Sequence, residues 1–238
     1  LVVALRKSSP GKRWQKAFEL SNEINRHPQT MESSFLRREM LQILEDPKHF
    51  DSKTRGYMAL ALSHKNTDET LGALRRTLAD PEEEVKGYSL WAIGQLRRQE
   101  AVPDVEMLLT SDAADIRMIA AYVLGVLGSK GSIPKLHPLL KDPSADVRWN
   151  TALALARLGK DDGYATLLSM LERENLLTDP RLSEAQIETV MINAAKGLAL
   201  IQRPESIKIL QTLSQHDKSL KVRQAAIDAL QYLEKIST

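Results

Sequence analysis

Acidic side chains are the residues of this chain that cluster most clearly in a way that could do chemistry. Three consecutive glutamates occupy positions 82–84, and Asp161 is followed directly by Asp162. Paired carboxylates can exchange protons or hold a cation. Both clusters lie where helices are predicted to begin, however, and negative charge at a helix N-terminus is stabilised by the helix dipole. The pattern therefore favours a structural role over an acid–base or ion-binding one.

The residues and motifs of most other enzymatic chemistry are missing. The chain has no cysteine, which excludes disulfides, zinc–thiolate sites and cysteine nucleophiles. None of the motifs GxxxxGK[ST], GxGxxG, GxSxG or HExxH occurs, so the phosphate-loop, dinucleotide-binding and common hydrolase signatures are absent. We therefore predict a protein that is not an enzyme, with no catalytic residue, no cofactor and no metal ion.

Composition limits the fold and the partner. The 238 residues include 33 lysines and arginines against 31 acidic residues, a net charge of +2 that attracts nucleic acid only weakly. Apolar residues make up 42% of the chain, enough to form a core, while 11 glycines and 10 prolines are too few for a turn-rich sandwich or barrel. No run of 18 apolar residues occurs, so we predict no membrane-spanning helix within the sequence.

The apolar residues recur with helical spacing along nearly the whole chain. Ser9-Pro10, Asp80-Pro81 and Asp142-Pro143 are typical helix starts, with a capping side chain followed by proline in the first turn. No segment alternates convincingly with a period of two. We predict about thirteen helices and no strand.

An internal repeat organises these helices. Val85, Ile116 and Val147 are each 31 residues apart, and after an insertion Val190 and Val222 continue the series. Self-similarity at this period indicates stacked helix pairs, each burying its apolar side on its neighbours. The predicted fold is all-α, a right-handed α-solenoid of about six helix pairs.

The repeat also resembles a known family. Residues 142–148 read Asp-Pro-Ser-Ala-Asp-Val-Arg and are followed by Ala152, Leu155 and Leu158-Gly159, which resembles the HEAT-like repeat of the phycobilisome-lyase type. The resemblance covers about residues 50–238 and is weaker over 10–49. It implies an α-solenoid whose second helices line the concave side, and it says little about function, because this repeat serves scaffolds, lyases and adaptors alike.

The resemblance brings two enzyme classes into consideration. A metal-dependent hydroxylase built of HEAT-like repeats carries paired His-Glu dipeptides, and no histidine of this chain precedes a glutamate. A DNA glycosylase of this repeat class needs a basic groove with stacking aromatic residues. Neither predicted concave row is such a track; the two rows read Arg75, Glu106, His137, Leu168, Gln211 and Arg76, Met107, Pro138, Ser169, Thr212. We therefore do not expect nucleic-acid binding.

The predicted domain boundaries are residues 1–9, an N-terminal segment, and residues 10–238, the repeat solenoid. Leu1–Leu5 are apolar and precede Arg6 and Lys7, as at the end of a membrane anchor with a positively charged flank. The alternative is the first turn of a soluble helix. We predict a cytoplasmic location, with tethering to a membrane as the second interpretation.

Two groups of residues are candidate partner sites. The pairs Arg37-Arg38 and Arg75-Arg76 lie on two successive second helices, either as solvated helix faces or as a basic patch that receives an acidic peptide. A helical projection predicts a second, apolar stripe on the convex side, where such stripes usually mark contact surfaces. The predicted stripe contains Leu60, Trp91, Met118, Tyr122, Trp149, Leu153 and Ile192. Ordinary packing against another segment is the alternative for it.

Two further features are predicted to be structural. Glu84/Lys86, Asp115/Arg117 and Asp146/Arg148 recur once per repeat and would form a charged ladder between repeats. The extra residues between Leu171 and Val190 predict that 172–182 lengthen a helix or protrude as a loop. Ser183 and Gln186 form a capping-box signal, so the next helix is predicted to begin there.

These features predict a non-catalytic protein-interaction scaffold or adaptor that binds another protein, or a second copy of this chain through the convex stripe. One alternative is a lyase-like protein that handles a pigment or a protein substrate. The other is the cytoplasmic module of a membrane-anchored protein.

Overall fold

The computed structural model describes residues 1–237, with side chains through Ile236, and every regular element in that range is helical. Short 3-10 turns connect some of the helices. The α-helices are α1 (Val2–Lys7), α2 (Pro10–Arg26), α3 (Ser34–Leu44), α4 (Ser52–Leu62), α5 (Asp68–Thr77), α6 (Glu83–Leu96), α7 (Val102–Met107), α8 (Ala114–Leu127), α9 (Ile133–Leu136), α10 (Ala145–Arg157), α11 (Tyr164–Ser169), α12 (Arg173–Leu177), α13 (Glu184–Ile201), α14 (Pro204–His216) and α15 (Leu220–Ser237). The prediction of an all-α chain is confirmed.

The helices form two compact units. Unit 1 comprises residues 1–127 with α1–α8, and unit 2 comprises the described residues from 128 onward with α9–α15. In unit 1, α2, α4, α6 and α8 pack in that order, and we call them the first helices of the unit. In unit 2, α10, α13 and α15 pack in the same manner.

The 31-residue register appears directly in the helix boundaries. Helices α4, α6 and α8 begin at Ser52, Glu83 and Ala114, each 31 residues after the last. Because equivalent residues recur at this interval, each first helix presents a matching apolar side to its neighbour. In α6 that side includes Val85 and Ile93, both fully buried, and burying a side chain of this size contributes about 1.5–3 kcal/mol.

The N-terminal residues are part of unit 1. Helix α1 packs against α2 and α3, and it buries Val2 and Leu5. The Arg6 guanidinium adds an ion pair, with Nε 2.7 Å from Oε2 of Glu39. Within the described range, no helix combines the length and the apolar character that crossing a membrane requires.

A buried ion pair joins two repeats in unit 1. Arg55, in register with Lys86 and Arg117, has a side chain that is 1% exposed and pairs through Nη2 with Asp80, in the loop before α6. Arg55 Nε also donates to the carbonyl oxygen of Leu44 at 3.2 Å. An arginine–carboxylate pair between repeats therefore exists here, but its acceptor is a loop aspartate and not one of the recurring carboxylates of the predicted ladder.

The insertion is anchored to the rest of unit 2. Leu176 of the short helix α12 is buried in a cluster with Ile187, Met191 and Val222. Arg173 ties the insertion down, with Nη2 2.8 Å from Asp217 Oδ1 and Nη1 2.5 Å from Glu184 Oε1. The prediction of a lengthened helix is wrong, because the segment forms the separate short helix α12. Leu176 and Arg173 anchor this otherwise largely exposed segment through an apolar and a charged contact.

The start of the next helix is as predicted. Helix α13 begins at Glu184, and the side chain of its N-cap residue, Ser183, accepts a hydrogen bond from the backbone N–H of Gln186. The Gln186 side chain accepts in return from the Ser183 backbone N–H at 2.9 Å, which completes the capping box.

Removing one partner of the Arg55–Asp80 pair should be costly. Asp80→Ala leaves the buried guanidinium without its counter-charge, so we expect the free energy of unfolding to fall by about 3–5 kcal/mol. Asp104→Ala breaks an ion pair whose side chains are 42% and 30% exposed, and its loss should be below about 1 kcal/mol. Urea denaturation followed by circular dichroism measures both, and equal losses would show that burial does not set the strength of these pairs.

Two adjacent leucines test how the insertion is anchored. Leu176 is 6% exposed and Leu177 is 47% exposed. Truncating the buried one, in Leu176→Ala, should lower the free energy of unfolding by about 2–4 kcal/mol. Leu177→Ala should change it by no more than about 0.5 kcal/mol. If thermal unfolding shows the two variants to be alike, the insertion is a loosely held surface segment.

Candidate functional site

Five aromatic side chains form a row across the first helices of unit 1. The ring centroids of Phe18 and Tyr57 are 5.4 Å apart, those of Tyr57 and Tyr88 are 5.7 Å apart, and those of Trp91 and Tyr122 are 4.9 Å apart. Tyr88 and Trp91 lie one turn apart on α6, so the two groups of rings follow each other along the same face. We call these five residues the aromatic row.

The register and the helical period together create this row. Residues three apart lie on the same side of a helix, so Tyr57 and Leu60 share a face of α4, and Tyr88 and Trp91 share the same face of α6. Tyr57 and Tyr88 are also 31 residues apart. The spacing therefore contained a signal for both tyrosines that the sequence analysis missed. Phe18 precedes the regular register and had no such signal.

A glycine on α4 allows one ring of the row to lie close to the helix. A Cβ atom added at Gly56 would be 2.0 Å from Cδ2 of Tyr88, so the Tyr88 ring occupies the space above the bare backbone of α4. One repeat later, a Cβ at Gly87 would be 3.4 Å from Cδ1 of Ile119. The next repeat thus fills the place of a Cβ at Gly56, whereas at Gly87 a Cβ would be in ordinary van der Waals contact with Ile119.

The aromatic row remains accessible to solvent. Phe18 is 45% exposed and Trp91 is 38% exposed, while Tyr57, Tyr88 and Tyr122 are half-buried. Desolvation raises the pKa of the Tyr88 phenol, and the neighbouring Tyr57 and Glu84 raise it further. The phenol therefore keeps its proton at neutral pH and can donate a hydrogen bond.

A groove of about 410 Å³ lies between α6 and α8 beside Trp91. Gly87, Ile116 and Ile119 give it an apolar lining, together with the rings of Tyr88 and Trp91. The remaining lining residues are all acidic: Glu83, Glu84 and Asp115. One of these carboxylates is already engaged, since Glu84 Oε2 accepts a hydrogen bond from Ser52 Oγ at 2.5 Å.

The other members of the predicted apolar stripe divide between the two units. Leu60 and Met118 are half-buried on the first helices that carry the aromatic row. In unit 2, Trp149 is half-buried and packs against two apolar clusters of that unit. Ile192 is half-buried against one of these clusters.

Leu153 is a core residue and not an exposed one. Its side chain is 8% exposed, and its Cδ2 atom is 3.1 Å from the position that a Cβ on Gly197 would occupy. The projection placed Leu153 in solvent because it treated all repeats alike. In unit 2 the glycine on α13 leaves a space that Leu153 fills, so this member of the predicted stripe is corrected.

The four candidate arginines are mostly engaged within unit 1. Arg37 Nη1 donates to the carbonyl oxygen of Glu32 at 2.9 Å. Arg75 pairs with Asp104 at 2.6 Å, and Arg76 pairs with Glu45 at 2.6 Å. Arg38 is exposed, and the described part of the chain gives it no hydrogen bond or ion pair. Much of the positive charge expected for a basic patch is thus balanced locally.

The acidic clusters provide no metal centre in the described residues, where no group of three or more His, Asp or Glu side chains could hold an ion. Asp161 instead pairs with Arg203, with a distance of 2.5 Å between Oδ2 and Nη2. The hydrogen bond from Arg203 holds the pKa of the Asp161 carboxyl below its usual range.

Gly56 should be necessary for the position of the Tyr88 ring. In Gly56→Ala the new methyl group overlaps the ring, so we expect Tyr88 to shift and the free energy of unfolding to fall by about 1–3 kcal/mol. Gly72→Ala is the control, since its Cβ would meet only the end of the Arg76 side chain at 3.3 Å. Adding Tyr88→Ala to Gly56→Ala should recover part of the loss. Urea denaturation measures the free energy of unfolding of the two single variants and of the double variant. If the loss in the double variant equals the sum of the two single losses, the two residues are not in contact.

Comparisons with known proteins identify the repeat. The model of the family described as HEAT repeats matches residues 38–125 and 108–178. No curated protein matches the chain. Among solved structures, a chain in the complex of CpcE and CpcF of phycocyanin lyase from Nostoc sp. PCC7120 is similar to this chain, with a TM-score of 0.61 at 18% identity. The alignment covers 98% of this chain and 93% of that chain.

Other solved structures are less similar. Human deoxyhypusine hydroxylase has a TM-score of 0.42 at 18% identity, covering 98% of this chain and 88% of that one. A designed armadillo repeat protein has a TM-score of 0.44 at 21% identity, covering 82% of this chain and 98% of that one. The family match and the fold shared with the phycocyanin lyase chain confirm the predicted α-solenoid class. The chain belongs to the HEAT repeat family.

Proposed function

We propose that this protein is a non-catalytic protein-binding module and that the aromatic row of unit 1 is its main contact surface. The observation that carries the proposal is the row of five rings on the four packed first helices of unit 1, with Phe18 45% and Trp91 38% exposed. A chain that is only 5% aromatic places three of its five tyrosines in this one row. Such a concentration on the surface is unusual for residues whose only role is packing.

The chemistry of the row suits a protein interface. Tyrosine and tryptophan bury a large area with few rotatable bonds, and they are enriched among the residues that dominate binding energy. Because the rings contact one another within each of the two groups, they are held in place before a partner arrives, which lowers the entropic cost of binding. Leu60 and Met118, half-buried on the same helices, would extend the apolar area around them.

The fold supports the same class of function. Each repeat contacts its neighbours in sequence, so a helix-repeat chain presents extended surfaces without needing a central active site. The related phycocyanin lyase structure contains CpcE together with CpcF, which is an association of two protein chains. We infer a protein partner for this chain as well.

Two tryptophans separate a binding role from a packing role. Trp91→Ser removes a half-exposed ring, so we expect the free energy of unfolding to fall by about 1 kcal/mol and partner binding to be lost. Trp149→Ser removes a ring that packs against two apolar clusters of unit 2, and we expect a loss of about 2–4 kcal/mol. Thermal unfolding measures the loss of stability of each variant. Quantitative affinity capture from native extract, with each variant immobilised, measures partner binding.

Phe35→Ser is the matched control for exposure, since Phe35 is 49% exposed on α3, away from the row. Proteins captured by the original chain and by Phe35→Ser, but not by Trp91→Ser, would support the proposal. If Trp91→Ser captures the same proteins as the original chain, the aromatic row is not the contact surface.

A further inference from the structure

The groove beside Trp91 combines aromatic rings with carboxylates, and this combination suggests the chemistry of its occupant. We propose that the groove binds an arginine side chain on an extended segment of the partner protein. The inference rests on the function proposed above and names the partner's chemistry at the same surface.

Charge is the first argument. Every charged side chain that lines the groove is acidic, namely Glu83, Glu84 and Asp115. The described part of the chain offers Glu83 and Asp115 no ion pair or side-chain hydrogen bond, so these carboxylates have no internal cation. The chain as a whole carries a net charge of +2, which makes this acidic groove a local feature. A cationic group would be the complementary ligand.

The rings provide the second argument. A guanidinium group stacks on the face of tryptophan or tyrosine and is more weakly hydrated than an ammonium group. The chain uses this contact internally: Arg203 lies over the Tyr164 ring at 4.6 Å, and Lys53 lies over the Trp14 ring at 5.3 Å. Within the described residues, no cation occupies the faces of Tyr88 and Trp91 in this way. A cation from a partner can therefore take that position.

The shape of the site favours arginine over a compact cation. The apolar lining of Gly87, Ile116 and Ile119 can contact the methylene groups of the side chain. The planar guanidinium can then stack on a ring while its N–H groups donate to a carboxylate in a bidentate pair. Lysine would provide the charge without either planar contact.

The aromatic row and the charges beside it set the length of the bound segment and the position of its arginine. Four packed helices are separated by three interaxial distances of about 8–10 Å each, so the row extends over about 24–30 Å. An extended chain covers this with about eight residues. The register position that holds Glu84 and Asp115 holds Lys53 one repeat earlier. The segment should therefore place its arginine at the α6–α8 end and neutral or acidic residues toward α4.

A peptide series tests the proposal directly with the full chain. The probe is a fluorescein-labelled octapeptide with a single arginine near one end and glycine or serine at the other positions, compared with the same peptide in which citrulline replaces the arginine. Citrulline keeps the shape of the side chain and removes its charge. Fluorescence anisotropy should show saturable binding of the arginine peptide, with Kd rising as salt is added, and binding of the citrulline peptide at least tenfold weaker.

Variants locate the binding. Trp91→Ala and the double variant Glu83→Gln/Asp115→Asn should each raise Kd for the arginine peptide at least tenfold. The double variant Glu174→Gln/Glu205→Gln removes the same charge from exposed positions of unit 2 and should leave Kd within twofold. Phe35→Ala is the corresponding aromatic control. Circular dichroism establishes that each variant remains folded.

The outcomes separate this inference from the function on which it rests. Equal binding of both peptides, no binding of either, or equal effects of the two double variants would overturn the inference. The proposed function would still stand if Trp91→Ser lost its captured partners. If capture survives Trp91→Ser, both fail. If sedimentation shows self-association that depends on Trp91 and that the arginine peptide does not displace, the occupant is a second copy of the chain and the inference is overturned.

Discussion

The structure depends on one packing constraint: no helix pair in this chain can bury its apolar side alone. The first helices of unit 1 pack against their neighbours in the series α2, α4, α6 and α8, so residues 31 positions apart become spatial neighbours. The constraint applies to the whole circumference of the helix and not only to the buried side. It therefore orders the core, with residues such as Val85 and Ile93, and it also orders the exposed face. The aromatic row is the surface consequence of the same register that forms the core.

Polar contacts also connect successive repeats, but the residue pairs that form them differ from one repeat to the next. Arg55 pairs with Asp80 in the loop before the next repeat, Ser52 donates to Glu84, and Ser219 donates to Glu188 at 2.7 Å. Where the insertion interrupts the register in unit 2, Arg173 makes the connections to Asp217 and Glu184 that the regular spacing would otherwise provide. A charged group with directional hydrogen bonds to two partners can hold an irregular segment that apolar packing alone would leave loosely defined.

Much of this could be predicted from the sequence, because a period of 31 and a helical projection need only residue types. They predicted the helix pairs and the surface positions of Trp91 and Tyr122, and the capping-box residues Ser183 and Gln186 predicted the start of α13. Leu153 was misplaced because its burial depends on a glycine in a helix that follows the insertion, which no projection of a single helix includes. The partners of Arg37 could not be predicted either, since its guanidinium binds backbone carbonyl oxygens and carbonyl groups are present at every residue. Phe18 joined the row through a helix outside the regular spacing.

Gly56 and Tyr88 have a consequence for how such a chain can change during evolution. The Tyr88 ring on one repeat occupies the space left by the missing side chain of Gly56 on the repeat before it, so the residue types at the two positions depend on each other. A duplicated or exchanged repeat placed before Tyr88 keeps this fit only if it has glycine at the register position of Gly56, as the α6 repeat does with Gly87. The glycine therefore restricts which repeats can be exchanged at the boundary between α4 and α6.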